Sequence, residues 1–225
     1  MRRFSYFTAA FSLLLVFLVP PAKADPVIFS NLVSGGSLVT NGGFGIGPGI
    51  PGDGVALAAQ FIPSSTSIFT SATLPLGSNV GTPMADVFLM TDASGVPGTI
   101  LESFITNTGL STTTGQFFTL NSVLNPELMG GTPYWLAVTA VDSSSNVSWR
   151  RDSGTDINSA SNLAGSDTGS SGPWFLISAG AVARPAFQVN GTPVPTPEPN
   201  TLLLLAIGLA GLVFIARSTR KRALA

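Results

Sequence analysis

From Asp25 to about Gly191 the chain is a succession of short apolar or alternating runs, set between clusters of Gly, Pro, Asn and Ser. Nothing in that span repeats apolar residues at helical spacing between helix caps, so the pattern predicts strands. Candidate strands fall at 27–33, 55–62, 67–74, 85–91, 99–105, 116–120, 134–142, 146–151, 174–177 and 186–189. Many short strands with frequent turn residues and no helix predict an all-β body, a β-sandwich of jelly-roll type, with a closed barrel as the alternative. In the run from Tyr134 to Val141 both faces are largely apolar, which places it mid-sheet and covered on both sides. In Val147-Ser148-Trp149-Arg150 the tryptophan stands on one face and polar residues on the other, as suits a half-buried strand. Pro97-Gly98, after Asp92 and Gly95, predicts a type II turn with Gly98 at positive φ. Asn125-Pro126-Glu127-Leu128 reads as a capped single helical turn.

The two ends break this pattern. Residues 1–24 have a basic start at Arg2 and Arg3, an apolar run from Phe7 to Val19, and then Pro20-Pro21-Ala22-Lys23-Ala24. Ala22 and Ala24 make the small-x-small boundary that signal peptidase reads, so a signal peptide over 1–24 and cleavage before Asp25 are expected. The domain reading continues with the β-sandwich over 25–191, then a proline-rich linker over 192–200 containing Pro197-Glu198-Pro199. A transmembrane helix is expected over 201–216 and a basic tail over 217–225. The unbroken apolar stretch Leu202 to Ala216 spans roughly 22 Å as a helix, short of a ~30 Å hydrocarbon core. Such a helix inserts by thinning the bilayer and letting its flanks snorkel, and is a poor permanent anchor. Arg217, Arg220, Lys221 and Arg222 fix the orientation, tail inside and body outside. A spacer, a short apolar helix and a small basic end have the layout of a removable sorting tail.

Pro197-Glu198-Pro199, the apolar helix with Gly208 and Gly211, and the Arg-rich end together resemble the PEP-CTERM sorting domain of Gram-negative bacteria. The resemblance implies processing near the Pro-Glu-Pro by an exosortase, a membrane-embedded transpeptidase of bacteria that make exopolysaccharide. Asn200 stands where that family usually has Ser or Ala. The body has its own likeness. Gln60-Phe61, Ser71 to Leu76, Asp86 to Met90 followed by Asp92, Gly95 and Pro97-Gly98, Leu128 with Gly131 to Leu136, and Trp149 together resemble the choice-of-anchor R domain. Domains of that group are joined to different surface-anchoring tails, and the resemblance implies no catalytic residue.

Composition narrows the chemistry. The chain has no cysteine and no histidine, and its two lysines, Lys23 and Lys221, lie outside the body. A Ser-His-Asp triad, a thiol nucleophile, a Schiff-base lysine, a Gly-Lys-Ser/Thr phosphate loop, imidazole- or thiolate-bound zinc and disulfides are all excluded there. Between Asp25 and Asn200 three arginines (Arg150, Arg151, Arg184) face eleven acidic residues, a formal balance of −8. A body so charged repels polyanions, so nucleic acid is not a partner. Nine of the twenty residues from Gly35 to Gly54 are glycine, and without a nearby cation they read as a flexible surface loop.

Three kinds of site are conceivable on these residues. Glu102 and Asp86, in adjacent strands, are the carboxylate pair a glycosidase would need, whereas Asp53, Asp92, Asp142, Asp152 and Asp167 stand in turns where Asp makes local hydrogen bonds. Asp152, Asp156 and Asn158 offer calcium-type oxygens without EF-hand spacing, and read as a solvated loop. Trp135, Trp149 and Trp174, with Tyr134, are the candidates for a platform that stacks on a sugar ring; core packing explains Trp135 better, and Trp149, beside Arg150 and Arg151, is the more exposed candidate for sugar contact. No catalytic residue, metal or cofactor is assigned. The reading is an exported surface or extracellular-matrix protein, handled by signal peptidase and exosortase, transiently in the inner membrane. Its expected role is structural or adhesive, linked to exopolysaccharide and biofilm; the alternatives are a carbohydrate-binding module and, more distantly, a carboxylate-based glycosidase.

Overall fold

The computed structural model describes residues 25–32, 38–47, 55–80, 84–106, 110, 115–141, 146–152, 162–178, 184–195 and 207. Within them run β1 (Val27–Ser30), β2 (Leu38–Ile46), β3 (Ala56–Phe61), β4 (Ser67–Val80), β5 (Ala85–Asp92), β6 (Pro97–Ile105) and β7 (Gln116–Asn121). They continue with β8 (Glu127–Leu128), β9 (Tyr134–Ala140), β10 (Asn146–Asp152), β11 (Leu163–Ser166), β12 (Phe175–Ser178) and β13 (Gln188–Pro193). Two antiparallel sheets result: a seven-stranded one in the order β1-β13-β4-β10-β2, with β7 and β8 also on β4, and a six-stranded one in the order β12-β11-β3-β9-β5-β6. The body is all-β, and its arrangement is that of a sandwich.

Strand alternation explains what lies between the sheets. Leu57, Ala59 and Phe61 of β3, Leu136 and Val138 of β9, and Val87 and Leu89 of β5 meet Ala72, Leu74 and Leu76 of β4 and Val189 of β13 in one buried core. β9 is central in its sheet, between β3 and β5, and is covered on both faces as its sequence requires. Its outward residues Trp135 and Ala137 join Ala58, Met90 and Ala164 in a second cluster, on which Trp174 and Phe88 pack. The alanines leave room there: Trp174, following the β11–β12 turn, lies over a floor of small side chains.

Several sequence expectations are corrected. Leu38–Ile46, inside the glycine-rich stretch, is a strand paired with β10. Close approach accounts for its composition: a Cβ on Gly43 would lie 2.5 Å from Ser148 Oγ and 3.0 Å from the Trp149 carbonyl oxygen. Residues 125–128 make no helical turn; Asn125 has φ 49° and Glu127–Leu128 pairs with Ser67–Ile68. The β5–β6 turn lies earlier than Pro97-Gly98, with positive φ at Ser94 (60°) and Gly95 (91°) and the Ala93 N–H donating to the Val96 oxygen at 2.8 Å. Asp92 holds that turn: Oδ2 accepts the Gly95 N–H at 3.0 Å, while Oδ1 accepts Gln60 Nε2 at 3.0 Å and the Trp135 indole N–H at 2.8 Å. It is thus a link across β3, β9 and β5 and not only a local turn residue. β13 carries the body to Pro193, two residues into the stretch read as linker.

The chain divides after Pro193. Beyond it the described residues are Val194, Pro195 and Ile207, the last helical. No helix among the described residues is long and apolar enough to cross a membrane. The signal peptide, the Pro197-Glu198-Pro199 motif, the basic tail and all but Ile207 of the expected transmembrane helix lie outside the described residues.

Candidate functional site

The carboxylate pair does not assemble. Asp86 pairs with Ile105, Val87 with Phe104, Phe88 with Ser103 and Leu89 with Glu102. Residues opposite one another share a face, so Glu102 points inward with Leu89 while Asp86 points outward with Ile105. Glu102 is 4% exposed and fully occupied. One oxygen accepts the N–H groups of Val123 and Leu124 at 2.6 and 3.1 Å, and the other accepts the Ser122 hydroxyl at 2.5 Å. It is a carboxylate committed to the turn after β7, not a general acid facing a sugar.

Asp86 is half-buried on the outer side of its sheet, and partial desolvation pushes its carboxyl above the ordinary aspartate range. The folded state then holds a proton that the unfolded chain has lost, so stability falls as pH rises from about 3.8 through the raised folded value. Asp86→Asn removes the cost of the partly desolvated charge. It is expected to raise the thermal midpoint at pH 7 and leave it unchanged at pH 3, as followed by circular dichroism; equal effects at both pH values would refute this.

Trp149 is also corrected. Its side chain is fully buried, 5.8 Å from the Phe187 ring, and its indole N–H donates to the Ala186 oxygen at 2.9 Å. The neighbouring arginines misled, because Arg150 stands on the other face of β10. Arg150 and Arg184 are themselves buried, and desolvation lowers the Arg184 pKa. Two of the body's three cations are therefore withdrawn from its surface. Trp135 is packed as expected, Tyr134 is buried as well, and Trp174 is half-buried. Most of the Asp152–Asn158 loop lies outside the described residues, and no group of three acidic side chains that would hold a metal occurs among the described ones.

What the structure does assemble is a pair of uncharged polar rows on the outer face of the seven-stranded sheet. Register aligns Ser30, Gln188, Thr73 and Thr119 in one row across β1, β13, β4 and β7. A second row holds Val27, Asn190, Ser71 and Asn121. The residues next to them in sequence, Val189, Ala72, Leu74, Phe118 and Leu120, pack in the core, so both rows lie on the outer face, with Ser71 itself buried beneath its neighbours. Hydrogen bonds order the side chains: Gln188 Nε2 donates to Asn190 Oδ1 at 2.9 Å, Asn190 Nδ2 to Ser71 Oγ at 3.0 Å, and the Thr73 and Thr119 hydroxyls lie 3.0 Å apart. Beside them Phe117, opposite Pro75, is 52% exposed. With strands about 4.8 Å apart, each row is about 14 Å wide. Amides and hydroxyls both donate and accept. Neither row carries a charged side chain, and with one open aromatic ring beside them they suit a polyhydroxylated ligand, while Arg150, buried over Gly77 and Gly115, and Glu127, opposite Ile68, lie elsewhere on the same face.

Sequence reasoning overlooked this face because it looked for tryptophan and for acid pairs. The legible clue was alternation: Ser71 and Thr73 on β4, Phe117, Thr119 and Asn121 on β7, and Gln188 and Asn190 on β13 all occupy outward positions. Which strands lie side by side was not legible, and the face exists only through that pairing.

No curated protein and no solved structure matches the chain. Residues 195–221, however, match the PEP-CTERM protein-sorting motif, a span that contains Pro197-Glu198-Pro199, Arg217, Arg220 and Lys221. That motif implies an exported protein, anchored in the membrane before processing by an exosortase.

Proposed function

We propose that the mature protein is a non-catalytic, structural or adhesive component of the cell surface or extracellular matrix, attached to exopolysaccharide in a biofilm through the polar rows on the outer face of its seven-stranded sheet. The ordered amide and hydroxyl rows carry this reading, since they offer a sugar chain paired donors and acceptors. The sorting motif supports the export route, and a body of choice-of-anchor R type would suit a surface role. A signal peptide over 1–24, removed at Asp25 by signal peptidase, and a short membrane helix over 201–216 complete the reading, with no cofactor required. The same face would serve a carbohydrate-binding module, and the two roles differ only in whether the bound glycan is the matrix itself.

Retention of the purified chain on exopolysaccharide from producing cells tests this. Thr119 is exposed, so Thr119→Glu places a charge in the first row without disturbing the core. Retention is expected to fall about tenfold, the equivalent of one or two hydrogen bonds at about 1 kcal/mol each. Equal retention of both proteins, or none by either, overturns the assignment of the face.

A further inference from the structure

We infer that the end of the sandwich from which the chain leaves toward its sorting motif docks on an electrically neutral lipid surface while the protein is tethered. The inference rests on the membrane-anchored stage implied by that motif. Backbone contacts gather several segments at this end. Pro193, the last residue of β13, pairs with Ser67, which also pairs with Leu128. The Gly131 N–H donates to the Pro63 oxygen at 2.9 Å, Ser64 to Ile28 at 2.9 Å, Gly191 to Pro26 at 3.0 Å and Phe69 to Pro126 at 2.9 Å.

Large apolar side chains are exposed on these segments: Val27, Ile62, Met129 and, most of all, Val123 (82%) and Leu124 (68%). Val123 and Leu124 are also the two residues whose backbone the Glu102 carboxylate holds. A buried acid is thus spent on keeping two adjacent apolar side chains presented to solvent. Ser122 Oγ completes the turn by accepting the Asn125 N–H at 2.8 Å. A rigid apolar tip loses little conformational freedom on meeting another surface.

Chain length names the occupant. Only residues 194–201 separate Pro193 from the apolar stretch beginning at Leu202. Fully extended, eight residues reach at most about 28 Å. Once that stretch is in a bilayer, the body is confined beside the membrane surface, at an effective concentration that makes a weak apolar contact count. Charge selects the headgroup: Asp25 and Glu127 lie at this end, with no basic side chain on those segments among the described residues, so anionic lipid is disfavoured. Docking would hold Pro197-Glu198-Pro199 close to the membrane plane, where a membrane-embedded processing enzyme meets it.

The chain has no cysteine, so single nitroxide labels can be placed at will. The chain purified from membranes of expressing cells would be reconstituted in phosphatidylcholine vesicles with a label at Leu124→Cys, Val141→Cys or Leu205→Cys. Val141 is exposed and apolar but follows β9 beyond Ala140, at the opposite end of the body. Collisions with oxygen relative to a water-soluble nickel chelate are expected to be severalfold higher at Leu124 than at Val141, with Leu205 higher still. Equal ratios at Leu124 and Val141 with a lipid-like Leu205 overturn docking and leave the sorting reading standing. A water-like Leu205 overturns the anchored stage itself. Low accessibility to both agents at Leu124 overturns the lipid assignment, because it reports contact with another protein.

Discussion

Trp149→Ala is expected to lower the unfolding free energy by about 3–5 kcal/mol, the largest effect of any single substitution considered. Trp149 is fully buried and meets Phe187, which in turn stacks on Phe29 at 4.9 Å and meets Phe61 edge-on at 5.9 Å. Removing the indole opens a cavity at the junction of β10 with the segment leading into β13, where the Ala186 N–H donates to the Arg150 oxygen at 3.0 Å. Trp149→Phe keeps most of the apolar volume but leaves the Ala186 oxygen without its indole donor, so a smaller loss of about 1–3 kcal/mol is expected. Urea unfolding followed by circular dichroism measures both, as a fall in midpoint at unchanged slope. Weakened glycan retention by Trp149→Ala at unchanged stability would show instead that the ring is presented to ligand.

The contrast between Trp149 and Thr119 shows what a sequence of this kind discloses. Alternation placed Trp149 and Arg150 on opposite faces of one strand, and the strand formed as the alternation required. It did not say which face meets the other sheet. That depends on the Leu74 and Leu76 side of β4 and on Phe187, more than thirty residues further along the chain. The doubly apolar run of β9 left no such choice, and its central, covered place was legible. Glycine-rich β2 was not, because its residues are selected by what must pass close to Gly43, and that neighbour belongs to β10. β11, only Leu163 to Ser166, lacks enough side chain to mark itself, and forms because Ala58 and Ala59 of β3 offer an edge to pair with. The sorting tail needs no long-range pairing, being written in consecutive residues, and so was readable directly.

Glu102 illustrates the same lesson with a consequence for stability. Glu102→Ala is expected to cost about 2–3 kcal/mol, since charge-assisted hydrogen bonds are worth about 1.5–3 kcal/mol and the turn's N–H groups can recover water once released. Glu102→Gln is expected to cost about 1 kcal/mol. Its amide oxygen can still accept the Val123 and Leu124 N–H groups, and its NH₂ can donate to Ser122 Oγ, whose present role as donor to the carboxylate reverses. The order Ala worse than Gln worse than wild type, read from urea unfolding, is the signature of an acceptor cluster. Amide hydrogen exchange gives the local measure: Val123 and Leu124 are protected in the wild type despite their exposed side chains, and lose that protection in Glu102→Ala. Exchange at unstructured rates in the wild type would mean that the carboxylate does not hold the turn. The contribution of Val123 and Leu124 to lipid docking would then have to arise without a preformed tip, because two apolar residues on a loose loop must pay the ordering entropy that Glu102 otherwise removes in advance.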